Sequence, residues 1–98
     1  MPTYERLLRF DRDYGALSLA EKRAFKEDVK KFVEDLERGQ GFRKGLRVKG
    51  VQGARGIFEM TWADDGRATF SFGRSIRGNE PHVIWHRVGK HGVILSSS

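Results

Sequence analysis

From Leu19 to Arg38, apolar side chains recur at Phe25, Val29, Phe32, Val33 and Leu36. This three-and-four spacing lays one apolar stripe along a helix. Ser18 followed by Glu21 makes a capping box at its start, each side chain satisfying a backbone donor of the other residue. Gly39 is a natural stop, because glycine tolerates the left-handed backbone that ends a helix. Upstream, Leu7, Phe10, Tyr14 and Leu17 share the same spacing. They predict a first helix capped by Thr3 and running to about Tyr14, so that two helices form a hairpin after a few extended residues. A rival reading is a short strand at residues 4–8, where Tyr4, Arg6 and Leu8 alternate.

Past Gly39 the period changes to two. In residues 57–62, Phe58, Met60 and Trp62 alternate with Ile57, Glu59 and Thr61. Asp64-Asp65-Gly66 is a turn signal, and in residues 67–73 Ala68, Phe70 and Phe72 alternate with Arg67, Thr69 and Ser71. The two runs predict an antiparallel hairpin, with an apolar face for the helices and a polar face left open. Residues 83–88 are apolar almost throughout, as in a central strand, and a shorter strand is predicted at residues 46–51. The serines at 96–98 are expected to fray. The pattern as a whole is α+β: a helical hairpin on one face of a small, mostly antiparallel sheet, in a single domain spanning residues 1–98.

Composition narrows the chemistry. The chain has no cysteine, which excludes disulfides and thiolate metal sites. No apolar run approaches the ~20 residues of a membrane-spanning helix, and MPTYERLLRF lacks the apolar segment of a signal peptide, so a cytoplasmic protein is expected. Residues 1–40 hold nine basic and nine acidic side chains, whereas residues 41–98 hold ten basic and four acidic. The whole excess of +6 therefore lies in the second part, with all three histidines. A neutral first part and a cationic second part suggest a scaffold carrying a site for a polyanion, above all RNA, although basic residues can also simply solvate an exposed sheet.

Three segments carry the candidate chemistry: the basic stretch with Arg43, Lys44, Arg47, Lys49 and Arg55; the hairpin GIFEMTWADDGRATF at 56–70; and HVIWHRVGKH at 82–91. Taken in order after a helical hairpin, they resemble the RelE/ParE superfamily of bacterial toxins. The similarity lies in Gly56-Ile57-Phe58-Glu59, in Gly66-Arg67-Ala68-Thr69-Phe70, and in the apolar run 83–88 followed by Gly89-Lys90-His91. It implies a toxin held inactive by a cognate antitoxin protein. One branch of that family cleaves mRNA, usually on the ribosome and without metal or other cofactor. The other inhibits DNA gyrase without being an enzyme, and a degenerate relative that keeps only binding is a third reading.

Metal-free RNA cleavage needs a base for the attacking 2′-hydroxyl, cations for the phosphorane and an acid for the leaving oxygen. Arg67, on the open face by parity, has the bidentate fork suited to phosphate and matches the family's strand arginine. His91 matches the family's terminal acid or phosphate ligand, and an imidazole can carry a proton either way near neutrality. Glu59 shares the open face and is read either as the base or, preferably, as an ion-pair partner that orients Arg67. Arg43, Lys44, Arg47, Lys49, Arg87 and Lys90 are candidate contacts to the RNA backbone. His82, His86 and His91 lack convergent metal-ligand spacing, so no metal is expected. Trp62 and Trp85 are assigned to the core. The sequence departs from the RNA-cutting branch in two ways: Glu59 and Thr61 stand where it places strand lysines, and no aromatic follows His91. The apolar helix stripe and the cationic sheet together predict an antitoxin segment that is both amphipathic and acidic and covers the basic face.

Overall fold

The capping box forms as the sequence dictates. In the computed structural model, which describes residues 1–92, the Ser18 amide donates to Glu21 Oε1 at 2.8 Å and the Glu21 amide to Ser18 Oγ at 3.1 Å. These bonds open α2 (Leu19–Arg38), which ends at Gly39 with φ +68°. Before it stand β1 (Thr3–Arg6) and α1 (Leu8–Gly15). After it come a 3-10 turn (Lys44–Leu46), β2 (Lys49–Gly50), β3 (Phe58–Thr61), β4 (Gly66–Gly73) and β5 (His82–Lys90). The serine tail expected to fray lies outside the described residues.

The five strands form one sheet in the order β1-β5-β4-β3-β2, mixed because β1 runs parallel to β5 while the other neighbours are antiparallel. Phe58, Met60, Ala68, Phe70, Val83, Trp85 and Val88 face α1 and α2, and their aromatic rings interlock with those of the helices. Phe25 meets Trp85 edge-on at 5.7 Å and Phe32 meets Phe70 edge-on at 4.9 Å. Trp62 and Trp85 are core residues, 7% and 5% exposed.

The start of the chain differs from the favoured expectation. Thr3 does not cap a helix; it sits in β1, where its amide donates to Pro81 O at 2.9 Å and its hydroxyl meets His82 Nδ1 at 2.7 Å. The first helix begins five residues later, after Leu7, whose side chain makes no cap bond. The cause is tertiary: the open edge of β5 offers backbone partners that outweigh a local helix start. The strand expected at residues 46–51 is likewise reduced to Lys49–Gly50. Arg47 takes a left-handed φ of +47°, which breaks the extended run just after Leu46 enters the core.

Candidate functional site

On β3 and β4 the register pairs Glu59 with Thr69 and Thr61 with Arg67, so all four stand on the sheet face turned away from the helices. Lys49 of β2 pairs with Glu59 and extends the row by one strand. Arg47, Val48, Lys49, Glu59, Thr61 and Arg67 line a shallow cleft of about 250 Å³. Glu59 is buried in its floor at 3% exposure, and its carboxylate meets the exposed Lys49 ammonium at 3.5 Å. The preferred role for Glu59, pairing with Arg67, is not what the geometry shows. Its ion-pair partner is Lys49, because β2 places that lysine directly across the strand pair.

Arg67 is held by backbone instead. Its Nη1 donates to the carbonyls of Gly66 at 3.0 Å and of Ala63 and Asp64 at 3.3 Å, and it makes no ion pair with Asp64 or Asp65 among the described residues. One edge of the guanidinium is thus anchored on the β3–β4 turn and its other donors remain for an anion. His91 reaches the same turn from β5, its amide donating to Asp65 O at 2.8 Å. Gly89 pairs with Arg67 and Lys90 with Gly66, so the exposed His91 lies just past the strand end that carries Arg67. Of the three residues singled out for catalysis, Arg67 and His91 therefore meet at one turn, while Glu59 lies in the cleft floor beside Lys49.

The remaining cations divide. Arg47 and Lys49 line the cleft, while Lys44 is exposed on the 3-10 turn outside its lining. Lys90 lies toward the start of α2. The Glu21 carboxyl there sits below its ordinary range, chiefly through its hydrogen bonds with Ser18 and in smaller part through the Lys90 charge. Two expected RNA contacts are engaged in the fold. Arg43 grips the buried Asp35 through its backbone amide at 2.9 Å and its guanidinium at 2.9 and 3.0 Å, and also reaches Glu34. This clamp turns the chain back along α2 and holds the Asp35 carboxyl down at about 2. Arg87 is bound bidentately by Asp13 of α1 at 2.6 and 3.1 Å. Both are ion pairs to a buried or half-buried acid, which the charge pattern alone cannot distinguish from free cations. Asp13 was missed in the sequence, its only signal being an acid on the polar side of an amphipathic helix.

The histidines are dispersed. His82 is buried between Thr3 and Glu5, with Nε2 2.8 Å from Glu5 Oε1, and ties β1 to β5. His86 meets Ser71, and His91 stands at the turn. Among the described residues, no group of three or more His, Asp or Glu could hold a metal ion, and no helix is long and apolar enough to cross a membrane.

No family model and no curated protein sequence matches the chain. Solved structures do. A chain of the E. coli DinJ–YafQ toxin–antitoxin complex superposes with TM-score 0.67 at 14% identity, covering 95% of this chain and 96% of that one. The YoeB/ParE toxin from Agrobacterium tumefaciens gives 0.66 at 16%, covering 91% and 98%. The fold is that of the RelE/ParE-like toxins. A chain of the intact E. coli RelBE toxin–antitoxin complex is similar at TM-score 0.57 and 17% identity, over 90% of this chain and 94% of that one. At such identities the likeness to the RelE/ParE-like toxins is one of architecture.

Proposed function

We propose that the chain is the toxin of a toxin–antitoxin pair and that it cleaves mRNA by metal-independent transesterification at the Arg67 cleft. The observation that carries this reading is the anchored Arg67 guanidinium with His91 held on the same turn. In the reaction the 2′-oxygen attacks the adjacent phosphorus, the O2′–P bond forms and the P–O5′ bond breaks. The products are a 2′,3′-cyclic phosphate and a 5′-hydroxyl. Arg67 stabilises the phosphorane, whose charge develops beside donors already fixed by the turn carbonyls. His91 donates the proton to the departing O5′. Glu59 accepts the 2′-hydroxyl proton, with Lys49 neutralising the cleft and holding a non-bridging oxygen. Arg47 and Lys49 supply the sequence-independent attraction to the RNA backbone.

The partner fits a different part of the molecule. An apolar groove of about 480 Å³ runs between α2 and β1, with Tyr4, Val29, Val33 and Leu36 along it and Arg6 and Lys30 at its rim. An acidic amphipathic segment of the antitoxin complements both properties. Its seat is thus the helix side as well as the basic sheet.

The test is cleavage of a defined mRNA by the purified chain, with and without ribosomes. Arg67→Ala is expected to slow single-turnover cleavage by roughly 10²-fold or more while weakening RNA binding only modestly. His91→Ala should lower the single-turnover rate by roughly 10²-fold or more. If the wild type leaves RNA intact in both settings yet arrests growth, the reading gives way to the gyrase-inhibiting, non-enzymatic alternative.

A further inference from the structure

β5 does not alternate as a regular strand. Thr69 pairs with Arg87 and Phe70 with Trp85, so His86 is an extra residue and the register slips by one. Val83, Trp85 and Val88 all reach the core, a sequence of parities that only a bulge permits. Arg87 stands opposite Thr69, which is itself opposite Glu59, on the cleft side of the sheet. His86 is on that side too, because its Nε2 lies 2.8 Å from the hydroxyl of Ser71, which shares the polar parity of Arg67 and Thr69. The bulge thus places two consecutive side chains of β5 on the open face.

Helix α1 is fastened beside this stretch at both ends. The Leu7 amide donates to Trp85 O at 3.0 Å, and the Asp13 carboxylate accepts from the Val88 amide at 3.2 Å and from Arg87. Between the fastenings, one helical turn before Asp13, comes Arg9. Its charge is felt at His86: burial first, and then the Arg9 cation, hold the His86 imidazole below its ordinary range. Asp13 is already engaged by Arg87, and the exposed Arg9 makes no ion pair among the described residues. A hydroxyl and an imidazole therefore stand on the same face as the cleft, beside the β5 edge along which α1 carries the Arg9 guanidinium, in a place that the proposed cleavage does not use.

We propose that Ser71, His86 and Arg9 form a second anion subsite, which holds a backbone phosphate of the RNA flanking the one at Arg67. The identity of the ligand rests on the ribonuclease reading. Ser71 is four residues along β4 from Arg67, roughly 13 Å at ~3.3 Å per residue, too far for both to share one phosphate. The subsite takes the strand as it leaves the cleft across β4 and β5, and Arg9 supplies the charge-assisted fork. Specificity for a base is not required of it; it fixes the path of the strand.

The experiment measures binding, not cleavage. The probes are a hexaribonucleotide fully 2′-O-methylated, which cannot be cut, and the corresponding dinucleotide, which carries one phosphodiester. Arg9→Gln and Ser71→Ala are compared with the wild type by fluorescence anisotropy across a salt series, and melting curves establish that both variants fold. Arg9→Gln is expected to weaken the hexanucleotide on the order of tenfold and to lower its salt slope by about one, with the dinucleotide unaffected. Ser71→Ala should weaken it less, and in the wild type the His86 imidazole resonances should shift with the hexanucleotide only. If both variants bind the hexanucleotide as tightly as the wild type while Arg67→Ala weakens it, the subsite is wrong and the cleft stands. If the wild type itself fails to bind the hexanucleotide at low salt, the subsite is overturned. Cleavage of mRNA on ribosomes then decides the ribonuclease reading separately.

Discussion

Replacing Gly66 by alanine adds a single methyl group to the turn that carries the proposed chemistry. A Cβ at this position would lie 2.7, 2.8 and 2.9 Å from three carbons of the Trp62 indole. Favourable carbon–carbon contact begins near ~3.5 Å, so something must retreat by close to ~1 Å. The indole has little room: Trp62 is 7% exposed and its ring meets Phe25 edge-on at 6.0 Å. Overpacking of this kind costs about 1–3 kcal/mol. For a domain of this size each kcal/mol lowers the melting temperature by about 4–8 °C, so Gly66→Ala should melt on the order of 10 °C below the wild type. Trp62→Phe should absorb much of the clash, and it breaks no hydrogen bond among the described residues, where the buried Trp62 Nε1 has no partner. In the phenylalanine background the alanine should therefore cost at least ~1 kcal/mol less, a coupling that a double-mutant cycle of thermal or urea unfolding resolves. The same methyl disturbs the carbonyls that hold Arg67 and His91, and a displacement of ~1 Å at a reacting centre can cost 10²-fold in rate. Cleavage well below the melting temperature should fall accordingly. An unchanged melting temperature, or an equal cost in both backgrounds, would refute the account of the turn.

Asp35→Asn should destabilise the chain at neutral pH, by a margin that disappears on acidification. Arg43 lowers the folded-state pKa of Asp35 to about 2, so the contribution is complete above the unfolded value of ~3.9 and is lost as pH falls toward 2; melting curves of both proteins across this range test the sign. Phe32→Ala, at 1% exposure the most buried ring of α2, should cost about 3–5 kcal/mol, read from denaturant midpoints at constant slope. Lys49→Ala should weaken RNA binding across all sequences and reduce the salt slope by about one, which filter binding at several salt concentrations would show. Cleavage of free RNA should survive EDTA, since every role in the proposed reaction falls to a side chain; loss on chelation with recovery on adding Mg²⁺ would overturn that mechanism.

The elements with local signals were legible in the sequence. The capping box at Ser18 and Glu21 fixed where α2 begins, and the alternation around Asp64-Asp65-Gly66 placed Glu59, Thr61 and Arg67 on one face. β1 was legible only as the rival to a helix start, because its four residues are mostly exposed and owe their conformation to a strand far along the chain. The bulge at His86 was hidden inside an apolar run, since periodicity cannot register a residue that belongs to neither parity. Among the cations, the place of Arg67 on the open face was legible because parity sets its direction. The ion pairs of Arg43 and Arg87 were not legible, because a guanidinium's partner depends on acids, Asp35 and Asp13, brought near only by folding.

The parallel pairing of β1 with β5 also sets a timetable. Thr3 waits for His82, and α1 waits for Trp85 and Val88 to supply its two fastenings. Synthesis delivers these partners in the opposite order from need, and a closure across so many residues cannot be hastened by local structure. A nascent chain that has exposed everything through β4 still has a free first strand, an unanchored first helix and no His91. The proposed cleavage therefore waits for β5, the strand that brings His91 to the turn beside Arg67.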